Sequence, residues 1–246
     1  MLGVGQAGPQ MVSQSSSTPG RGMGPAEHAI AFLPPPRRPE PPRTILRPRH
    51  EQGMSSEREI GLWRRAERKR LIALRLAVPP EQRRRRDAAI ERRLEALLRA
   101  LPGRSIGLYW PVRGEFDPRP VAERLIAQAR LLALPAAVDP QGPLEYRLWR
   151  PGTEMEPGPH GIPAPKAREI LRPDILIVPL VGFDEARHRL GYGGGYFDRT
   201  LAAASPRPTT VGVGFEATLL ATIFPQPHDA ALDFIVTEAR LRQRHQ

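Results

Sequence analysis

The chain of 246 residues contains no cysteine. That absence excludes disulfides, thiolate metal sites and cysteine nucleophiles together, and it is compatible with the expected cytoplasmic location. Lysine is almost missing as well: of 37 basic residues, 35 are arginine and two, Lys69 and Lys166, are lysine. A bias of this size can reflect the nucleotide composition of a genome as much as function. Aromatic residues make up only 6% of the chain. Together with the lack of any recognisable nucleic-acid module, this sparseness argues against a nucleic-acid partner. There is no continuous apolar stretch of the kind that a secretory signal or a membrane span requires, so no membrane partner is expected.

What is present falls into two compositional regimes. Residues 1–55 hold a third of all the prolines, with many serines and glycines and no apolar period. Such a stretch cannot bury enough surface to offset chain entropy, and it is expected to be disordered. Its runs Pro34 to Pro36 and Pro41-Pro42 favour extended polyproline geometry. It contains arginine and serine and few acids, as organelle transit peptides do, but its prolines spoil an amphipathic helix. Met54-Ser-Ser-Glu57 resembles a start site immediately ahead of the first helix. Residues 56–246 suit one α/β domain with an ample core.

The formal net charge is +11. Much of the excess lies between Arg64 and Arg99, among acids such as Glu67, Glu81, Asp87, Glu91 and Glu95. A solvated helix face accounts for this pattern; attraction of anionic ligands is the functional alternative.

Ser56 to about Val78 and Pro80 to Leu101 read as two helices, the second opening on Pro79-Pro80-Glu81 in keeping with first-turn preferences. Arg64, Arg65 and Arg68 lie within one turn and can share a face. A strand is expected at Ser105 to Trp110, a helix at Pro118 to Gln128, and strands at Leu131 to Pro135 and Leu144 to Trp149. Residues 138–173 are proline-rich, and their His160 reads as a loop residue rather than a catalyst. Pro173 to Pro179 reads as a strand, Phe197 to Ala204 as a helix, Thr210 to Phe215 as a strand, Ala217 to Ile223 as helical and Phe234 to Val236 as a last strand. Alternation of short apolar strands with helices predicts a three-layer α/β fold, its largely parallel sheet covered by helices on both faces. Ligands in such sheets gather at the carboxyl ends of strands, where Trp110, Glu115 and a glycine-rich loop all fall.

That loop, Arg189-Leu-Gly-Tyr-Gly-Gly-Gly-Tyr-Phe-Asp-Arg199, places four glycines within five residues. Without Cβ atoms, backbone N–H groups can converge on an anion, and the start of the following helix adds its positive dipole end. The loop lacks the Gly-Lys-Ser/Thr ending of a Walker A motif and the spacing of a dinucleotide fingerprint. Phosphate binding is the natural function; a tight turn required only for packing is the alternative. The latter has no use for a cation and a carboxylate at the two ends of the loop.

Phe183-Asp184 followed by Arg189 to Asp198 closely resembles the signature of the 5-formyltetrahydrofolate cyclo-ligase (5,10-methenyltetrahydrofolate synthetase) family. The resemblance runs from about Trp63 to Val236 through Ile106 to Pro111 with Glu115, Leu132 to Pro135, Leu148-Trp149, Gly161-Ile162, Asp229 and Asp233. It implies an enzyme that uses ATP as co-substrate, with Mg2+, to convert 5-formyltetrahydrofolate to 5,10-methenyltetrahydrofolate, ADP and phosphate. Arg189 is then the expected catalytic cation. The ATP contacts are expected at Arg64 or Arg65 with Arg68, and along Arg189, Leu190, Gly191, Tyr192, Gly193, Gly194, Gly195, Tyr196 and Phe197. The folate contacts are expected at Trp110, Glu115 and Tyr192 to Tyr196, although Trp110 also suits plain core packing. Asp198 and Asp229 are the expected magnesium contacts, direct or through water; a solvent-exposed acid is the other reading of Asp229. A monomer is expected.

The chain departs from the family pattern at several points. Arg187 stands where a glycine is common, Ala164 where a glutamate is usual, and Phe197 replaces a second tyrosine. Two other functions stay open at this level: a relative with an altered substrate, and a basic nucleic-acid-associated protein that keeps the fold.

Overall fold

A computed structural model describes residues 56–244. The expected disorder of residues 1–55 and the start site at Met54 lie outside the described residues. The first helix, α1 (Glu57–Leu76), begins at a reciprocal cap in which Ser56 and Glu59 bond each other's backbone N–H. Helix α2 (Pro80–Ala100) has proline in its first turn, where the missing N–H costs nothing. Its Ile90, Leu94 and Leu98, spaced four apart, are fully buried. Each such side chain contributes roughly 1.5–3 kcal/mol of transfer free energy, which anchors an otherwise highly charged helix.

The remaining elements follow in order: β1 (Ser105–Gly107), α3 (Arg119–Ile126), β2 (Leu131–Ala136), β3 (Glu145–Trp149), β4 (Met155–Pro157), β5 (Pro163–Pro165), β6 (Ile175–Pro179), β7 (Gly182–Asp184), β8 (Arg189–Leu190), α4 (Tyr196–Ala203), β9 (Thr209–Val213), β10 (Leu219–Leu220), β11 (Phe234–Val236) and β12 (Leu241–Gln243). Seven strands form one sheet in the order β12-β11-β9-β6-β1-β2-β3. The five inner strands are parallel, and the two edge strands, β12 and β3, run antiparallel. Alternation along each strand divides the core. Ile106, Leu132, Leu134, Ile175, Ile177, Val211 and Val213 pack on α2 and α3 on one face. Ala133, Leu176, Val178 and Ile235 pack with Leu201 of α4 on the other. The expected three-layer architecture is therefore present. Helix α1 instead rests through Leu71 on a second small sheet, β10-β7-β8, against Val181, Leu190 and Leu220.

The strand order decides where a ligand can enter. From β1 the chain moves outward to β2 on one side, and later β6 pairs on the other side of β1. The order reverses between β1 and β6, which opens a crevice beyond their carboxyl ends. The loop that carries Trp110 and Glu115 leaves β1 there, and the segment leading to the glycine-rich loop leaves β6 at the same place.

Several elements differ from the sequence-based expectation. Ala217 to Ile223 is not helical: one 3-10 turn at Glu216–Thr218 gives way to β10, which pairs parallel with β7. Burial of Leu220 and Ile223 against α1 outweighs local helix propensity. Strand β1 ends at Gly107, short of Trp110; in the loop that follows, the Tyr109 hydroxyl donates to Phe116 O at 2.7 Å. The β7–β8 hairpin, the β4–β5 ribbon within the proline-rich stretch and β12 were not anticipated. No helix of the described residues is long and apolar enough to cross a membrane.

Candidate active site

A cavity of about 720 Å³ occupies the crevice. Its walls come from α1, the loop after β1, the turn between β4 and β5, the glycine-rich loop with the start of α4, and the segment around Asp229.

The basic wall is built first by α1. Arg64 and Arg68 lie one turn apart and both line the cavity, whereas Arg65 is exposed and points elsewhere. Arg64 donates to the carbonyls of Ile223 and Phe224 at 3.0 and 2.9 Å and pairs with Asp229 at 2.5 Å. Arg68 donates from Nε to Gly191 O at 2.7 Å and so fastens the glycine-rich loop to the helix. Burial lowers the Arg68 guanidinium from the usual arginine value, helped by the charges of Arg64 and Arg65 and opposed by Asp229. It stays a cation at neutral pH.

In the glycine-rich loop, two glycines occupy positive φ: Gly193 at 95° and Gly195 at 68°, the latter as the N-cap of α4. A side chain at Gly193 would meet the Arg68 guanidinium at 3.3 Å. The loop thus needs glycine both for conformation and for close approach to the cation. Arg189 enters from β8, 7% exposed, and donates to Asp198 Oδ1 at 2.8 Å. Asp198 sits in the first turn of α4, where a carboxylate complements the dipole.

Opposite lies the loop after β1. Glu115 is 7% exposed; its Oε2 accepts from Val112 N–H at 2.9 Å and its Oε1 accepts from the Tyr192 hydroxyl at 2.8 Å. Burial pushes the Glu115 carboxyl up, against the pull of these two donors and of Arg75 and Arg113. Arg83 holds the same turn from α2, donating to the Gly114 and Glu115 carbonyls at 2.6 Å each. Trp110 reaches both environments: it packs against the core, carries Arg119 over its ring at 3.9 Å, and borders the cavity. Tyr196 carries Arg199 over its ring at 4.9 Å.

The structure thus brings together Arg64, Arg68, Trp110, Glu115, Asp229 and the whole run from Arg189 to Asp198, and it leaves Arg65 outside. Asp229 is not solvent-exposed, since 9% of its side chain is accessible. Burial raises its carboxyl, but the Arg64 guanidinium, Gln226 N–H and nearby His228 together hold it below the usual carboxylate range. Arg187 adopts φ 68°, the left-handed turn conformation that a glycine favours there, and secures it by donating to Leu232 O at 2.9 Å. Ala164 is buried in the cavity wall, and His160, at φ 62°, borders the same space. The reasoning from sequence missed Arg75 and Arg113, which hold Tyr192 through a hydrogen bond to its hydroxyl and a contact with its ring, respectively. Only their tertiary partners distinguish them from the many other arginines.

A hard cation takes oxygen ligands, and Mg2+ commonly takes one or two carboxylates and completes its shell with substrate phosphates and water. Asp198 fits that chemistry: Oδ1 is held by Arg189, and among the described residues no donor bonds Oδ2. Asp229 faces the same cavity but has Arg64 across both oxygens and Gln226 N–H on Oδ2. Among the described residues no group of three or more His, Asp or Glu side chains could hold a metal ion unaided.

The model of the 5-formyltetrahydrofolate cyclo-ligase family matches residues 61–238. A Mycolicibacterium smegmatis protein named 5-formyltetrahydrofolate cyclo-ligase is 31% identical over 181 residues, 69% of this chain and 91% of the relative. The protein of the same name from Escherichia coli K12 is 30% identical over 175 residues, 68% of this chain and 96% of the relative. A solved Aquifex aeolicus structure, named 5,10-methenyltetrahydrofolate synthetase, has a TM-score of 0.61 at 26% identity, covering 73% of this chain and 92% of its own. A Mycoplasma pneumoniae structure of the same name shares the fold at a TM-score of 0.59 and 22% identity, covering 71% of this chain and 98% of its own. With the family model matching well over half of its length, the chain belongs to the 5-formyltetrahydrofolate cyclo-ligase family.

Proposed function

We propose that the chain catalyses the ATP-dependent cyclisation of 5-formyltetrahydrofolate to 5,10-methenyltetrahydrofolate, with release of ADP and phosphate. The observation that carries this reading is the meeting, in one cavity, of a buried carboxylate at Glu115 with the cationic, glycine-rich wall from Arg189 to Asp198. Family membership supplies the substrate class.

The formyl oxygen is a poor leaving group. It attacks the γ-phosphorus of ATP, the bond to the β-phosphate breaks, and ADP leaves. The resulting iminium phosphate is attacked at carbon by N10, which gives up its proton as the ring closes; the C–O bond then breaks and phosphate departs. The protein positions the two substrates and stabilises charge, with no covalent protein intermediate. Backbone N–H groups from Gly191 to Gly195 and the side chains of Arg64 and Arg68 take the phosphates. Arg189, held by Asp198, offsets charge on the transferring group. Glu115 accepts hydrogen bonds from the pterin, and Trp110 and Tyr196 offer flat contact. Asp198, joined by Asp229 where the Arg64 pair loosens, would hold the magnesium ion that accompanies ATP; when bound, that ion neutralises phosphate charge. Residues 56–246 constitute the catalytic domain on this reading, acting as a cytoplasmic monomer.

The test is absorbance in the methenyl product band after purified protein is mixed with magnesium-ATP and 5-formyltetrahydrofolate. Product that requires both substrates supports the assignment. Well-folded protein that binds ATP and yields none would sink it.

A further inference from the structure

Arg75 occupies the last turn of α1 and is 4% exposed. A buried guanidinium is normally matched by a carboxylate, since an uncompensated charge away from water is costly. Arg75 bonds none. Its Nε donates to Arg113 O at 3.0 Å, its Nη1 to Leu180 O at 3.1 Å and its Nη2 to the Tyr192 hydroxyl at 2.7 Å. These partners belong to three different segments: the loop after β1, the end of β6 and the glycine-rich loop.

The contact with Tyr192 fixes more than distance. A guanidinium has donors and no acceptor, so the tyrosine hydroxyl must accept from Arg75. Its single proton is then left for Glu115 Oε1, 2.8 Å away. The hydroxyl therefore has one orientation, set by a cation on one side and an acceptor on the other. Glu115 is a counter-charge that Arg75 reaches through that hydroxyl. Tyr192 is also the side chain that can anchor its loop, because its neighbours Gly191, Gly193, Gly194 and Gly195 offer none. Tyr192 is 38% exposed, and the Arg113 guanidinium lies over its ring at 5.4 Å.

We infer that Arg75 is a positioning residue for the folate subsite: through Tyr192 it docks the glycine-rich loop against Glu115 and orients that carboxylate toward the ligand. This rests on the assignment of Glu115 and the loop to substrate binding made above.

The experiment is a double-mutant cycle of Arg75→Lys and Tyr192→Phe, with steady-state kinetics in both substrates and thermal unfolding of each protein. Arg75→Lys keeps the charge and cannot reach three segments; Tyr192→Phe removes only a hydroxyl at a partly exposed site. Each single change is expected to raise KM for 5-formyltetrahydrofolate roughly tenfold, the loss of one charge-assisted hydrogen bond, with kcat changed far less. The double variant is expected to be no worse than about twofold beyond the weaker single, because both act on one element. Multiplying effects, or a lowered Tm in Arg75→Lys with folate KM unchanged, would make Arg75 a prop for the fold and overturn the inference. Should Arg75→Lys fail to fold, an unchanged folate KM in Tyr192→Phe overturns it alone. A wild-type chain that does not turn over the folate overturns the proposed reaction instead. The same cycle is then read on ATP affinity by tryptophan fluorescence, where additive effects reject the coupling and non-additive effects uphold it.

Discussion

Arg189 Nη1 lies 2.8 Å from Asp198 Oδ1, and the pair closes the glycine-rich loop by joining the residue before it to the first turn of α4. The cation is almost fully buried and the acid is 19% accessible at its side chain. Asp198→Ala therefore strands a buried guanidinium. Partial exposure of the acid reduces the loss below that of a fully buried pair, to about 2 kcal/mol. The expected result is a Tm lower by roughly 4–8 °C together with loss of product formation. Asp198→Asn keeps an acceptor and is expected to recover most of the stability without the activity. Thermal unfolding and product absorbance on the same samples separate the two effects.

Gly193→Ala places a Cβ at φ 95° and within 3.3 Å of the Arg68 guanidinium. Both terms oppose the native loop, at a combined cost of about 1–3 kcal/mol. KM for ATP is expected to rise at least several-fold. Gly191→Ala is the control: no atom lies within 4 Å of a Cβ there, and its φ is not positive. Equal effects at the two positions would show that the Arg68 contact is irrelevant.

Glu115 yields a pH prediction with opposite signs for two observables. Burial raises its carboxyl; Val112 N–H, Tyr192, Arg75 and Arg113 oppose this, and the Tyr109 hydroxyl also lies near. As the hydrogen-bond acceptor proposed above it must be ionised, so kcat/KM for the folate falls as pH drops through the raised value, earlier than for an ordinary glutamate. Stability runs the other way. The folded state holds this proton more tightly than the unfolded chain, so the stabilising contribution is complete below the unfolded value and disappears as pH rises through the folded one. Glu115→Gln is expected to remove the acid limb of the rate profile and its part of the stability slope. Urea midpoints across the same pH series supply the second measurement.

Arg187 gives a ranking of variants. It combines an unfavourable φ of 68° with a hydrogen bond to Leu232 O. Arg187→Gly relieves the first and loses the second, each about 1 kcal/mol, and is expected to leave stability nearly unchanged. Arg187→Ala keeps the strain and loses the bond, so it is expected to unfold at a urea concentration below that of both. Equal midpoints for Ala and Gly would show that backbone strain at this turn is negligible.

The parts legible in the sequence were those written as local pattern. The apolar run before Pro179, the i, i+4 spacing of Arg64 and Arg68, and the glycine cluster each carry their own periodicity or composition. Other parts became visible only in three dimensions. Leu219-Leu220 sits in an apolar run that fits a helix, and its strand pairing depends on Phe183 and Asp184 more than thirty positions earlier. Strands of two or three residues, such as β8, are too short to show alternation. Arg65 and Arg68 look alike on a helical wheel, and packing of α1 on the small sheet turns one toward the cavity and the other to solvent. Arg75 is one arginine among 35, and the tyrosine hydroxyl that distinguishes it lies 117 positions away.

The bond from Arg64 to Asp229 spans 165 positions of chain. One wall of the cavity is thus contributed near the start of the described residues and locked by a residue made near their end. During synthesis the glycine-rich loop can emerge and meet Arg68 while the side that Asp229 closes is still missing. On the proposed assignment, competence to hold ATP arrives late in the life of the nascent chain, and a polypeptide interrupted after α4 carries the signature without the wall that Asp229 completes.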